Sequence, residues 1–300
     1  MGRDGAHRRA ELSDRCRPRR VQGRSGEPRG DRRIEVRRTP LYPSHDDNPM
    51  GRILNYSSWA LSSTYYGIGD IKKAGLAVVH SSPVTANLAP MVARVLFRTP
   101  YVTMIMDLWP DSVFQSGFLT SGPVHRIASA ILGTFAKWSY RLASHITVLS
   151  PSMKQVLVDR GVPAEKISLL YNWVDESLFA SPAEPDPTLR ASLGLTGDDF
   201  VGVNMPSKIP SLLAGGHPVL VVAEGDPADV VTAADAGLAA SPNDPAAVAT
   251  ALRQAKSAGA DMLREMGHRG RELYEREMSS AIGGARLTEI LRTAKRKGHT

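Results

Sequence analysis

Polar residues follow the short apolar runs of this sequence, at the points where the chain would leave a strand. In an open parallel sheet, ligands bind beyond the carboxyl ends of the strands. A carboxylate there acts as a general base or orients a hydroxyl group, and serine, histidine and asparagine side chains bind polar ligands. The predicted catalytic residue is Asp107, and the candidates that line the expected cleft are His80, Ser81, Ser82, Asp111, Ser150, Asn172 and Asp175.

The segment DLWPDS gives the sharpest local signal among these candidates. Asp107 is interpreted either as a catalytic carboxylate or as the N-cap of the following turn. His80 either binds a substrate hydroxyl or is satisfied by backbone groups, and the two serines that follow it are most simply caps. The segment NWVD either contributes an amide and a carboxylate to the cleft or forms a turn. The sequence leaves these alternatives open.

A second signal lies in PSKIPSLLAGGHPVL, where Pro206, Ser207 and Lys208 stand at the start of a predicted helix over 207–216. Free N–H groups, the helix dipole and the lysine ammonium would converge on an anion at this point. Pro210 would fall in the first turn, where a missing N–H costs little. A plain capped helix would explain the same shape, but it would not explain the lysine.

Composition limits the classes of function. Of the 300 residues, 42% are hydrophobic and 22% charged, and a single cysteine, Cys16, rules out an internal disulfide framework. No apolar run approaches the ~18 residues of a membrane-spanning helix. The beginning of the chain lacks the apolar core of a signal peptide, so a cytoplasmic location is expected. No GxGxxG, Walker, HExxH or metal-spaced Cys/His pattern is present, so neither cofactor-dependent redox chemistry nor P-loop NTPase activity is expected.

The net charge of +7 is concentrated in residues 1–33, which contain eleven Arg and five acidic residues. This segment lacks lysine and aromatic residues that would stack on bases, so we expect no nucleic-acid partner. Read one base later, the codons permitted for residues 4–16 allow TVLTGGLNYPTGV, which looks like a strand and a turn. We interpret 1–33 as a frame-shifted stretch, or else a basic arm, and predict that it is disordered.

From residue 34 onward, strand-like and helix-like patterns alternate, which predicts an α/β fold with a parallel sheet covered on both faces. Residues 34–178 are predicted to form a Rossmann-like domain, 179–198 a proline-rich and acidic linker, and 199–300 a second domain. Pro90 predicts a kink in the helix over 85–99. The helices over 50–66 and 122–145 mix aromatic with basic residues, so they either rest on a lipid surface or pack against the sheet.

Many of these segments recur in order in one family. They are RTPLYPSHD, RILNY, SSP, DLWPDS, VLSPSMKQVL, GVPAEKISLLYNWVD, MPSKIPSLLAGGHPVL, AGLAASPNDPAAVATAL and MGHRGRELYERE. Over roughly 34–292, the chain resembles the family-4 glycosyltransferases of the GT-B fold. Within that family it is most similar to bacterial enzymes that build O-antigen, capsule or exopolysaccharide on lipid-linked acceptors.

The resemblance implies two Rossmann-like domains, the first for the acceptor and the second for a nucleotide sugar. Pro206, Ser207 and Lys208 would then face the donor diphosphate, and Asp107 would face the reacting sugar, with retention of configuration. Helix dipoles and basic side chains would stabilise the leaving nucleotide without a metal. Implied partners are a nucleotide sugar and a lipid-linked oligosaccharide, with peripheral contact at the inner face of the plasma membrane.

The chain also departs from the family pattern. DDFV runs directly into GVNMPSK, where a Rossmann-like half-domain of roughly 80–100 residues is expected. Its Gly-rich loop and basic pair would be missing with it, and Ser211 stands where many relatives carry a glutamate. The sequence therefore predicts a truncated second domain and an impaired glycosyltransferase. The alternative is a non-catalytic remnant that only binds a partner.

Overall fold

The computed structural model describes residues 19–23, 34–44, 49–109, 123–178, 202–203 and 208–297. The chain divides into two compact units. The first comprises residues 1–147, 162–168 and 291–300, and the second comprises residues 148–161 and 169–290. The predicted linker, 179–198, lies outside the described residues.

A four-stranded sheet forms the centre of the first unit, and its strands lie side by side in chain order. They are β3 (Ala77–Ser81), β4 (Tyr101–Ile105), β5 (His145–Val148) and β6 (Ile167–Leu169). β3 and β4 run parallel, with Ala77 opposite Tyr101 and Ser81 opposite Ile105. Tyr101 and Val102 are both fully buried although they point to opposite faces. β4 is therefore covered on both sides, as expected for a parallel sheet.

The described residues of the first unit include the helices α1 (Pro49–Ala74), α2 (Leu88–Phe97) and α3 (Pro123–Leu142). A 3-10 turn over Val84–Asn87 precedes α2. Pro90 therefore lies in the first turn of α2, where its missing N–H has no intrahelical partner to lose. The chain starts a new helix at this point, so the predicted kink within one helix over 85–99 is wrong.

An antiparallel pair of strands, β1 (Arg19–Gly23) and β2 (Ile34–Arg38), stands apart from the main sheets. Arg19 lies opposite Arg38 and Gly23 opposite Ile34. The expectation of disorder throughout 1–33 is therefore wrong for residues 19–23. Main-chain N–H and C=O groups make the pairing, so a segment with few apolar residues still forms a ladder. Residues 1–18 and 24–33 lie outside the described part of the chain.

The second unit contains a parallel sheet whose three described strands lie side by side in chain order. They are β7 (Gly202–Val203), β8 (Val219–Val222) and β9 (Gly237–Ala240). Helices α4 (Pro151–Asp159), α5 (Ile209–Ala214), α6 (Asp226–Ala233), α7 (Pro245–Glu277) and the first part of α8 (Ser280–Lys297) belong to this unit. The core lies between β8 and its helices and includes Leu213, Val219, Val221, Val231, Ala236 and Tyr274.

Helix α7 approaches the turn before β8 at backbone distance. A methyl group on Gly267 would collide with the carbonyl oxygen of Gly216, so the two backbones touch. Gly216 itself has φ 68°, a left-handed conformation that favours glycine. This contact fixes α7 over the turn that leads from α5 into β8.

We predict opposite effects for two glycine-to-alanine substitutions in helices of the second unit. Gly267→Ala should lower the free energy of unfolding by about 1–3 kcal/mol, since the added methyl must push α7 away from Gly216. Gly284→Ala in α8 meets nothing within 4 Å and should raise it by about 0.5–1 kcal/mol through helix propensity. Urea unfolding of both variants measures this, and a Gly267→Ala variant as stable as the wild type would refute the close contact.

Candidate functional site

A serine and a carboxylate meet at the carboxyl edge of the first sheet. β3 and β4 are neighbouring parallel strands, so the chain leaves both of them at the same edge. Ser82 Oγ donates a hydrogen bond of 2.8 Å to Asp107 Oδ2, and both side chains are exposed. The structure therefore brings two of the predicted site residues together as a hydroxyl–carboxylate pair open to solvent. Asp111 lies outside the described residues.

The residues next to this pair shape the turn after β3. Ser81 is buried, and its Oγ accepts a hydrogen bond of 2.7 Å from Nδ2 of Asn87, which also donates to the carbonyl of Val84 at 3.0 Å. The 3-10 turn begins after Pro83 without a side-chain cap, so neither serine caps it. His80 lies exposed on β3, and its carbonyl accepts from the N–H of Ser82 at 3.1 Å.

Asn87 is a residue that sequence reasoning missed. It is fully buried, and its Oδ1 has no hydrogen-bond partner among the described residues. Its amide holds the turn that presents Ser82, so it supports the pair from a buried position. No motif or strand end marks it, and only the packing of the turn identifies it.

In the second unit, the start of α4 binds a carboxylate of the chain itself. Ser150, predicted to line the cleft, caps α4, its Oγ accepting from the N–H of Met153 at 3.3 Å. The N–H of Ser152 donates to Asp226 Oδ2 at 2.8 Å. Burial alone would raise the pKa of Asp226, but hydrogen bonds from Ser150 and Ser152 together hold that pKa below its usual value.

Further polar residues follow the strands of the second sheet. Glu224 and Asp226 come after β8, Ser241 follows β9, and Ser241 Oγ donates to Glu224 Oε1 at 2.6 Å. Glu224 and Asp226 follow an apolar strand, as Asp107 does, so the same pattern marks them in the sequence. They are not among the predicted site residues. Such carboxylates are acceptors suited to hydroxyl groups.

Lys208 is the only member of the predicted anion site that lies within the described residues. It is exposed and precedes α5 with helical backbone angles, φ −92° and ψ −16°, and its side chain makes no cap. Pro210 lies in the first turn of α5, as predicted. α5 covers six residues, which is shorter than the predicted 207–216. Pro206 and Ser207 lie outside the described part of the chain.

The segment 171–178 forms a turn fixed by acidic side chains. Asp175 Oδ1 accepts from the N–H and Oγ of Ser177, at 3.1 and 2.6 Å, which confirms the turn interpretation for this candidate, while Asn172 is exposed. Glu176 accepts from the N–H of Ser280 at 2.6 Å and from Tyr274 at 3.1 Å. The N–H of Ser280 is the main reason that the pKa of Glu176 lies below its usual value.

Two units with parallel sheets, intervening helices and polar carboxyl edges define an α/β protein of the GT-B glycosyltransferase fold. Residues 7–173 match the glycosyl transferase 4-like domain, which is more than half of the 300 residues. The chain therefore belongs to that glycosyltransferase family. No curated protein sequence shows a significant match.

Solved structures are similar in fold at low sequence identity. HepE from Anabaena in complex with UDP has a TM-score of 0.61 and 14% identity, with 79% of this chain and 84% of that chain covered. A glycosyltransferase from Rickettsia africae has 0.57 and 13%, with 84% and 83% covered. Sucrose-phosphate synthase from Thermosynechococcus elongatus has 0.56 and 14%, with 85% and 82% covered. The TM-scores show a shared fold, and identities this low show nothing beyond it.

Among the helices of the described residues, none combines the length and the apolarity needed to cross a bilayer.

We predict that Ser150 controls both the start of α4 and the pKa of Asp226. Ser150→Ala should cost about 1 kcal/mol of stability at pH 7, the usual value for a lost N-cap. It should also raise the pKa of Asp226, because one hydrogen bond to the charged form is removed. The lowered pKa of Asp226 stabilises the folded state at pH values above the ordinary aspartate pKa of about 3.9. This stabilisation is lost as the pH falls through the folded-state pKa of Asp226. The stability difference should therefore shrink at acid pH.

Carboxyl-carbon NMR titration and urea unfolding at several pH values measure these effects. Ser150→Thr is the control, since it keeps the hydroxyl and should leave both quantities near wild type. An unchanged pKa of Asp226 in Ser150→Ala would disprove the link between the two residues.

Proposed function

We propose that this chain descends from family-4 glycosyltransferases that move a sugar from a nucleotide-sugar donor to a lipid-linked saccharide acceptor. The pathway class is the assembly of cell-surface polysaccharide such as O-antigen or capsule, and the sugar is a hexosyl or N-acetylaminosugar residue. The observation that carries the proposal is the exposed Ser82–Asp107 pair at the sheet edge of a chain that belongs to this family.

The proposed reaction exchanges one C–O bond for another. An acceptor hydroxyl oxygen bonds to the anomeric carbon while the bond from that carbon to the diphosphate oxygen breaks. The hydroxyl proton passes to the departing diphosphate, and the products are the lengthened saccharide and a nucleoside diphosphate. Asp107 orients a hydroxyl of the reacting sugar, and Ser82 fixes the carboxylate oxygen that it contacts.

Each sheet edge, taken by itself, carries carboxylates that suit hydroxyl groups. Asp107 lies at the edge of the first sheet, and Glu224 and Asp226 lie at that of the second. Ionised carboxylates only accept hydrogen bonds, so they pair with sugar and ribose hydroxyls and repel phosphate. The diphosphate is assigned instead to Lys208 with Pro206 and Ser207, because an ammonium beside helix N–H groups attracts anions.

The similar structure of HepE has been solved with UDP, with UDP and glucose, and with UDP-glucose. Those complexes support a nucleotide sugar as the donor proposed for this chain. We further propose that neither a metal nor a cofactor is required, since helix dipoles and Lys208 would stabilise the leaving diphosphate. The lipid-linked acceptor would hold the protein at the cytoplasmic face of the membrane as a peripheral protein.

Impaired transfer is part of the proposal. The chain passes from the predicted linker to Lys208 within ten residues, 199–208, and the described residues of the second unit supply a three-stranded sheet. A nucleotide site without its Gly-rich turn would have lost part of its diphosphate contacts. The alternative is a remnant that binds a partner or lipid and has no donor site. A higher thermal midpoint of unfolding with UDP or GDP favours the impaired glycosyltransferase over the remnant, because a ligand that binds the folded state raises that midpoint.

We predict that Lys208→Ala weakens nucleotide binding by about 1–3 kcal/mol, the range for a lost hydrogen bond to a charged group. We expect wild-type affinity near millimolar, so line broadening of UDP or GDP signals in NMR titrations is the measurement. Lys256→Ala, at an exposed lysine of α7, is the matched control and should bind as the wild type does. Equal binding by Lys208→Ala and wild type would remove Lys208 from the site.

Asp107→Asn should separate binding from turnover. Where transfer is measurable, this variant should lower kcat while nucleotide affinity stays nearly unchanged, because the side chain contacts the reacting sugar. A loss of nucleotide affinity with unchanged kcat would contradict the role assigned to Asp107.

A further inference from the structure

Two aromatic side chains lie beside the exposed Ser82–Asp107 pair. Trp109 follows Asp107 by two positions, so their Cα atoms are at most about 7 Å apart. The ring of Tyr56, on α1, meets the ring of Trp109 edge to face, with the ring centroids 6.4 Å apart and the planes at 76°. Both side chains are half-buried, so each keeps part of its surface open to solvent. The proposed transfer leaves both of them without a role.

Helix α1 reaches the carboxyl edge of the first sheet at two points. It contacts the 3-10 turn Val84–Asn87, which follows Ser82 and the end of β3. Through Tyr56 it also contacts Trp109 in the segment that follows β4. The aromatic pair therefore belongs to the same edge as the hydroxyl–carboxylate pair.

The rotation of α1 about its own axis is fixed from another side. Nδ2 of Asn55 donates to the carbonyl of Tyr42 at 2.7 Å, and the N–H of Tyr42 donates to Ser58 Oγ at 2.8 Å. Asn55 and Ser58 are three positions apart and share one side of the helix, whereas Tyr56 shares its side with the buried Ala60. With two sides of α1 held, the ring of Tyr56 is pre-organised against Trp109, which lowers the cost of ordering on binding.

The aromatic pair and the polar pair suit one kind of ligand. An aromatic ring offers a flat apolar surface that packs against C–H groups. Ser82 donates its hydroxyl hydrogen to Asp107, so both side chains present acceptor oxygens to a ligand. Small-molecule sites combine aromatic walls with a few polar groups that fix orientation. A pyranose ring has matching surfaces, since its faces carry C–H groups and its rim carries hydroxyl donors.

We propose that Trp109 packs against one face of a pyranose ring of the acceptor saccharide, while Ser82 Oγ accepts a hydrogen bond from a hydroxyl of that ring. Tyr56 acts through Trp109, as a positioning residue. A prenyl chain fits this place less well, because it has no donors for the two acceptor groups and would desolvate them without compensation. The inference rests on the proposed function for the assignment of the saccharide as the acceptor.

NMR with a free disaccharide tests this site without donor or transfer. The probe is N,N′-diacetylchitobiose, and the control ligand is sorbitol, an open-chain polyol that has hydroxyls but no ring face. In saturation-transfer difference spectra of the full chain, the hydrogens of one ring face should receive the strongest saturation, and sorbitol should receive little. In spectra of nitrogen-labelled protein, the disaccharide should shift the one of the four indole signals that is absent from Trp109→Phe.

Variants separate saccharide binding from folding. Trp109→Leu keeps an apolar side chain but no aromatic face, and it should weaken disaccharide binding about tenfold, whereas Trp109→Phe should stay within about threefold of the wild type. Tyr56→Leu should weaken binding, and Tyr56→Phe should restore it because the phenyl ring makes the same edge contact. Trp138→Leu changes a half-exposed tryptophan of α3 in the same unit and should bind as the wild type does. The thermal midpoint of each variant verifies folding.

Several results would overturn the proposal. Saturation spread evenly over the disaccharide, or equal saturation of sorbitol, would exclude recognition of a ring face. Equal binding by Trp109→Leu and the wild type, or equal weakening by Trp138→Leu, would place the saccharide elsewhere. A shift of the Trp109 indole signal by geranyl phosphate but not by the disaccharide would assign the rings to a lipid chain.

The outcome is separable from that of the donor site. A rise of the thermal midpoint with UDP or GDP, without any saccharide signal, would overturn the saccharide site alone. Face-selective saccharide binding without any effect of nucleotide would support the saccharide site and overturn the donor site.

Discussion

Parallel pairing of strands is the constraint from which the candidate site follows. β3 beside β4, and β8 beside β9, run in one direction, so each pair delivers its carboxyl ends to a single edge. A parallel sheet must also be covered by helices, because its strands carry apolar side chains on both faces. The helices therefore cover the faces of the sheets, and polar residues lie at the carboxyl edges. Asp107 and Ser82 meet for this reason although 25 positions separate them.

Internal contacts hold the polar residues at the carboxyl edges of both sheets in place. In the first unit, the buried amide of Asn87 holds Ser81 and the turn that carries Ser82. In the second, Ser150 caps α4 while the same helix end binds Asp226. The backbone contact between Gly216 and Gly267 sets α7 against the turn before β8. Each support is an internal hydrogen bond or a close contact, and for the partly buried Asp226 the hydrogen bonds outweigh the effect of burial on its pKa.

Local patterns in the sequence were enough for much of the fold. Gly161 follows α4 with φ 84°, and Gly259 interrupts the helical backbone of α7 with φ 76°, left-handed conformations for which the sequence supplies glycine. These features depend on neighbours in sequence. Sequence analysis does not predict the strand at 19–23 because its pairing partner, Ile34–Arg38, is not adjacent to it in the sequence, and it does not select Asn87 because the role of Asn87 depends on packing. Pro206, Ser207 and Asp111 lie outside the described residues and stay predictions.

This chain has the fold of a glycosyltransferase, and we propose that it keeps part of the nucleotide site but no longer transfers sugar. Incubation with a panel of nucleotide sugars and a lipid-linked saccharide extract, with release of nucleoside diphosphate followed by mass spectrometry, tests it most directly. The account predicts that UDP or GDP raises the thermal midpoint while release stays at the rate of the protein-free control. Robust, acceptor-dependent release by the chain would contradict the claim of impairment, and no thermal shift with any nucleotide would contradict the claim of a retained site.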